Sequence, residues 1–305
     1  MPFRCFVTLK QKMTERELDL REQEVLEKGL LQFRTFDDHV RNALINNELI
    51  FGAAKNFNDP FDCNLPIDLD NVSIDLIKDY IEIENIKYAL SEVEINKRAK
   101  DYFDNKAKFE KEIRNVINNY RRFSCFQIVT TNKTHKDIFF WANYADKHKG
   151  ICLKFNGKII DAKNHFEGIV RSLPIEYINC LKKIPEFNYL KYRIEKFKLG
   201  YDRAKELNGN RGASEYFFGI KSTKWKYENE VRFVSESLSM PFLEPYVKLK
   251  FNPSMLEKVY IGCNASLSTV NEVFKIMHLP KFSHVEVIKL VRDNKRFKLL
   301  EEKLK

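Results

Sequence analysis

A chain of 305 residues with 44% hydrophobic and 31% charged residues can bury a sizeable core unaided, which excludes a disordered chain and a disulfide-dependent scaffold. Its formal net charge of +10 points toward a phosphate-bearing ligand or a nucleic acid, but lysine is spread along the whole sequence and no RNA-binding module stands out. The six cysteines show neither CxxC pairs nor regular spacing, so no metal site is expected, and their thiols read as reduced, in a cytoplasmic protein. No stretch of about 18 apolar residues occurs, so no membrane span is expected.

The chain reads as one α+β domain over residues 1–305, with a central mixed or antiparallel sheet and inserted helices. Residues 1–30 form a lead-in helix, for which Thr14 and Glu17 make a capping box and Gly29 a terminator. Leu31 to Phe36 alternates as a strand, Asp37 or Asp38 can cap a helix to about Asn46, and Glu48 to Phe51 is a second strand. Next, Phe57 to Asp62 (FNDPFD) sets an Asn-Asp-Pro turn between two phenylalanines. Proline keeps Asp59 out of the helical region, so the loop is rigid and can aim Asn58, Asp59 or Asp62 at a ligand. Residues 72–120 are helical and strongly charged, as are 185–212, and both read as helical insertions.

Arg121 to Ile128 (RRFSCFQI) is strand-like, with Phe123, Cys125 and Gln127 on one face and Ser124, Phe126 and Ile128 on the other. Asp137 to Gly150 (DIFFWANYADKHKG) predicts a capped helix on which Trp141, Tyr144, Ala145 and His148 share a face, with Gly150 left-handed beyond its end. In that reading His148 lies in the last turn, where the helix dipole favours its protonated form, and it stands beside the Tyr144 hydroxyl. Lys221 to Val234 (KSTKWKYENEVRFV) alternates as a strand with Trp225, Tyr227, Asn229 and Val231 on one side. Lys226, Glu228, Glu230 and Arg232 line the other. That acidic pair is either a solvated ion ladder or a pair of carboxylates held in a cleft and tuned by Arg232. The lysine-rich C-terminal tail reads as a surface helix.

Together and in this order, FNDPFD at Phe57 to Asp62, Ser124 followed by WANYADKHKG at Trp141 to Gly150, and the KxxxWxYExExR of Lys221 to Arg232 resemble a widespread bacterial family of unknown function. More loosely, an arginine on an early strand, a serine on a middle strand and Glu-x-Glu on a late strand are similar to the layout of mono-ADP-ribosyltransferases, a likeness that would make the chain an NAD-using transferase or NAD-cleaving enzyme acting as a toxin or phage-defence effector. That resemblance implies NAD as the cofactor, gripped by a split sheet. Arg34 would hold its phosphate or ribose, and Ser124 would position the nicotinamide ribose. Glu230 would stabilise the oxocarbenium-like sugar and Glu228 would orient a protein or nucleic-acid acceptor. Asn58, Asp59, Trp141 and Arg232 complete the expected cofactor-binding set, and Tyr144 and His148 join the catalytic one. The chain departs from the transferase pattern in showing Ser124-Cys125-Phe126 where Ser-x-Ser is usual. Two other readings stay open: a nuclease or other phosphoester hydrolase using Asp59, Asp62, Glu230 and His148, with or without a divalent metal, and a non-enzymatic ligand sensor or adaptor.

Overall fold

The computed structural model describes residues 23–65, 67–84, 90–130, 134–179, 184–200, 203, 217–237 and 241–305. They form two compact units. A helical unit comprises Ala54–Tyr120 and Ile175–Lys226; a sheet unit takes the described residues before Ala54, then Arg121–Pro174 and Tyr227–Lys305.

The sheet unit is built on ten strands: β1 (Leu30–Arg34), β2 (Glu48–Gly52), β3 (Arg121–Ile128), β4 (Ile151–Phe155), β5 (Val170–Pro174), β6 (Glu230–Glu236), β7 (Tyr246–Lys250), β8 (Leu256–Ile261), β9 (Glu286–Arg292) and β10 (Leu299–Lys303). The main path runs β7-β2-β3-β1-β4-β8-β9-β10, and β6 pairs with both β3 and β5. Every pair in this sheet is antiparallel except β8 and β9, which are parallel; the helix Leu267–Met277 supplies the crossover such a pair needs. The fold is therefore α+β around a mixed, open sheet. Its last strand lies where the sequence predicts a tail helix: Leu300 and Leu299 pair with Val291 and Arg292, and the ladder outweighs the weak helical pattern of a short charged segment.

Strand pleating divides the side chains between two cores. Leu30, Phe126, Ile128, Val231, Phe233, Leu153 and Val259 join one cluster with Val40 and Leu44 of the helix Asp38–Ile45 and with Val273, Ile276 and Met277. Leu31, Phe33, Cys152, Tyr260, Ile288 and Leu290 face the other way and are covered by Phe140 and Trp141 of the helix Ile138–Tyr144. The sheet is thus buried on both faces.

The sheet also forks. β1 pairs with β3 only through Leu30 and Leu31, opposite Ile128 and Gln127, and β2 meets β3 at Gly52 and Phe123. Between those contacts the Gln32 amide donates to Ser124 Oγ (2.8 Å), while one Arg34 nitrogen donates to Ser124 Oγ (3.3 Å) and to the Ile50 carbonyl (3.0 Å). Side chains do there what a ladder would otherwise do.

The helical unit holds the helices Ile74–Glu84, Glu92–Asp104, Lys106–Asn119 and Glu186–Leu199. Ser91 and Glu94 close a capping box at the second of these. Its centre is aromatic: Phe109 stacks on Tyr102 (5.1 Å) and meets the edge of Tyr80 (5.7 Å). Short parallel pairs complete the unit, Ile67–Asp68 with Ile184–Pro185 and Glu176–Ile178 with Ile220–Ser222. Most of the last twelve residues of the predicted 185–212 insertion and most of the lead-in helix lie outside the described residues.

Candidate functional site

The segment from Lys221 to Val234 is not a single strand. Ile220–Ser222 is extended, Thr223–Glu228 winds into a 3-10 helix, Asn229 takes a left-handed φ of 42°, and only then does β6 begin. Strand alternation therefore does not relate Glu228 to Glu230. Both are nonetheless buried, at 6% and 4% exposure, so the solvated ion ladder is ruled out.

Each carboxylate has its own partner. Arg232, with no exposed surface, donates from Nε to Glu230 Oε1 (2.6 Å) and from a terminal nitrogen to Oε2 (3.2 Å). Residues two apart on a strand share a face, which makes this paired fork geometry available locally. Glu228 accepts from the Tyr144 hydroxyl. Burial first, then that hydrogen bond, pushes the Tyr144 phenol far above its ordinary pKa, so it stays a protonated donor. Tyr144 is half-buried and Tyr227 half-exposed, and both rings lean on Phe140 (5.6 and 6.0 Å). These two tyrosines form the solvent-facing edge of the cluster.

Register fixes which face carries what. Glu230 stands opposite Gln127 and Arg232 opposite Cys125, whereas Ser124 stands opposite Phe233. Opposed residues share a face, so Glu230 and Arg232 lie with Gln127, Leu31 and Phe33. Ser124, Gln32 and Arg34 lie on the reverse side, in the fork. Arg34 and Ser124 are brought together, and so are Glu228, Glu230, Arg232 and Tyr144, but as two groups on opposite faces. Asn58 and Asp59 belong to the helical unit.

Trp141 is wholly buried, its indole N–H donates to the His135 carbonyl (2.7 Å), and Phe33 meets it edge-on at 5.4 Å. It is a core side chain. His148 departs from its predicted place: the helix ends at Tyr144, and Asp146, Lys147 and His148 follow with φ of 44°, 51° and 69°. The helix predicted to end behind the imidazole stops four residues earlier; the ring lies parallel to Trp141 at 6.4 Å, and burial lowers its pKa instead of raising it. Gly150 is not left-handed either; those three residues make the turn.

His135 behaves in the same way. Burial lowers its pKa, Glu301 at 2.8 Å opposes this, and the charges of Lys136 and Lys154 reinforce it. Both histidines thus have folded pKa values below the unfolded value of about 6.5, so the unfolded chain binds more protons as pH falls through that value. Stability is expected to be level above it and to drop as the pH is lowered from about 7.5 to 5.5. Melting temperatures across that window measure the slope, and His148→Gln should flatten it; a midpoint that is constant or rises on acidification contradicts the assignment.

Two residues escape a sequence reading based on charge. Gln32 supplies the shortest bond to Ser124, and Gln127, opposite Glu230, has a buried Oε1 with no hydrogen-bond partner. Their signal is the single glutamine in each of the strands LLQFR and RRFSCFQI. Among the described residues no three His, Cys, Asp or Glu side chains converge as metal ligands would, and no helix is long and apolar enough to cross a membrane.

Comparison with known families gives one match. Residues 140–233 match a family model described as "Protein of unknown function (DUF2971)". The matched segment contains Trp141, Tyr144, His148, Glu228, Glu230 and Arg232, and it leaves out Arg34, the FNDPFD turn and Ser124. It runs from the aromatic helix that covers one sheet face, through the 3-10 helix that ends at Glu228, into β6, which carries Glu230 and Arg232. Neither a curated protein nor a solved structure matches the chain.

Proposed function

We propose that the chain is an enzyme that cleaves the ribosyl–nicotinamide bond of NAD, with Glu228, Glu230, Arg232, Tyr144 and Gln127 as its machinery. The observation that carries this reading is the pair of buried carboxylates, one tied to a guanidinium and one to a phenol at the solvent-facing edge. Loss of nicotinamide leaves a cationic sugar, and anions fixed in a desolvated setting stabilise such a charge without reorganising. Glu228 faces the sugar, held there by the Tyr144 O–H. Glu230 adds negative potential and is held in place by the Arg232 guanidinium. The unsatisfied Gln127 Oε1 accepts from a ribose hydroxyl.

The C1′–N bond breaks with its electron pair going to nicotinamide, and an acceptor oxygen then bonds to C1′ and releases its proton. Water, a protein side chain or a nucleic acid can supply that oxygen, and the net charge of +10 favours a polyanionic acceptor. Arg34 and Ser124, on the reverse face, take no part. Incubation with NAD is expected to release nicotinamide, and Glu228→Gln to slow release about a hundredfold while leaving the melting temperature nearly unchanged. A wild-type chain that releases none, with or without cell lysate, overturns the reading.

A further inference from the structure

The helical unit contains a second polar site, within a cavity of about 190 Å³. Its walls include Asp59, Phe61, Leu65, Ile178, Ile220 and Lys221. Two sequence motifs meet here, the Asn-Asp-Pro turn and the lysine that precedes the 3-10 helix.

The charges are not equivalent. Lys221 is buried, its ammonium lies 3.5 Å from Asp62 Oδ2 and 4.9 Å from the Trp225 ring centre, so this cation is already engaged. Asp59 is 5% exposed; its Oδ1 accepts from the Phe61 N–H at 2.9 Å, which closes the turn, while its Oδ2 is buried with no hydrogen-bond partner. A desolvated carboxylate oxygen without a donor is costly, and it is a strong acceptor for any donor that enters. Leu65, Ile178 and Ile220 offer apolar contact around it, and Phe61, 58% exposed, offers a ring face to solvent.

We propose that this cavity binds a small flat molecule, aromatic or heteroaromatic, that carries a cationic or neutral N–H donor for Asp59 Oδ2. A cavity of about 150 Å³ suffices for a benzene ring, so one ring and its donor fit inside and any remainder lies over Phe61. An anionic ligand is disfavoured, because Asp59 repels it and Asp62 offsets Lys221. This inference rests on the cavity alone and is independent of NAD cleavage by the sheet unit.

The test is calorimetric titration of the full chain with benzamidine and with benzoate, which share a ring and differ in the group that would meet Asp59. Benzamidine is expected to bind saturably in the millimolar range or tighter, benzoate not to bind, and Asp59→Asn, which keeps an oxygen for the Phe61 N–H, to weaken benzamidine at least tenfold. Benzoate binding as well as benzamidine, or equal benzamidine affinity in Asp59→Asn, overturns the proposal. Should that variant fail to fold, methyl NMR of the wild type decides: resonances of Leu65, Ile178 and Ile220 move with benzamidine, or the proposal fails.

Discussion

Replacing Glu230 with alanine is expected to cost about 3–5 kcal/mol of folding stability, the usual penalty for removing one partner of a buried ion pair. Arg232 is fully enclosed in β6, and both oxygens of Glu230 are taken up by its guanidinium. Without the carboxylate, a buried positive charge loses its bidentate neighbour, and the arginine cannot discharge its proton to escape. Urea unfolding of the sheet unit measures the loss; a change below about 1 kcal/mol would contradict it. The double replacement Glu230→Leu with Arg232→Met should recover much of the stability, because exchanging a whole buried pair for apolar groups is often neutral or better. An inactive Glu230 variant therefore says little about chemistry unless its fold is measured too, which is why Glu228→Gln is the sharper probe of turnover.

The second large effect is expected at Gly150, where alanine should cost on the order of 3 kcal/mol. A Cβ there would sit 2.1 Å from the Arg34 carbonyl oxygen and 3.0 Å from that of Ala145. Both obstacles are backbone. Neither can swing aside, because Arg34 is paired to Ile151 in the β1–β4 ladder and the Ala145 oxygen accepts from the Gly150 N–H at 2.8 Å. The need for glycine is steric, not conformational. Gly52→Ala is the control, since nothing lies within 4 Å of a Cβ at that position and its thermal midpoint should barely move. Equal midpoints for the two variants would overturn the steric account.

Where local physics decides, the sequence is readable. β3 spans Arg121–Ile128 as its alternation predicts, Asp37 caps the helix Asp38–Ile45 through the Val40 N–H, and the mixed sheet of an α+β fold follows from short strands set between charged helices. The burial of Glu228 and Glu230 is not readable, because charge alternation in KYENEVR fits a wet strand as well as an enclosed one. Tertiary packing settles it through Tyr144 and Arg232. The opposite facing of Arg34 and Glu230 is also beyond local pattern. Each strand's own alternation is evident, but which face of β6 matches which face of β3 depends on the Glu230–Gln127 register, a long-range property. His148 shows a third limit: helical spacing continues through residues 145–148, yet three left-handed residues end the helix early.

The placement of β6 has a consequence for synthesis. β3 is translated well before its partner, and one long edge of the strand stays open until Glu230–Glu236 leaves the ribosome, because β6 fills that edge along seven residue pairs from Glu230–Gln127 to Glu236–Arg121. The exposed stretch RRFSCFQI carries two arginines at its start, the kind of charge that discourages nascent strands from docking onto one another. A ribosome stalled before codon 230 would therefore hold a chain whose central strand can recruit a stranger, and chaperone dependence should be greatest in that interval.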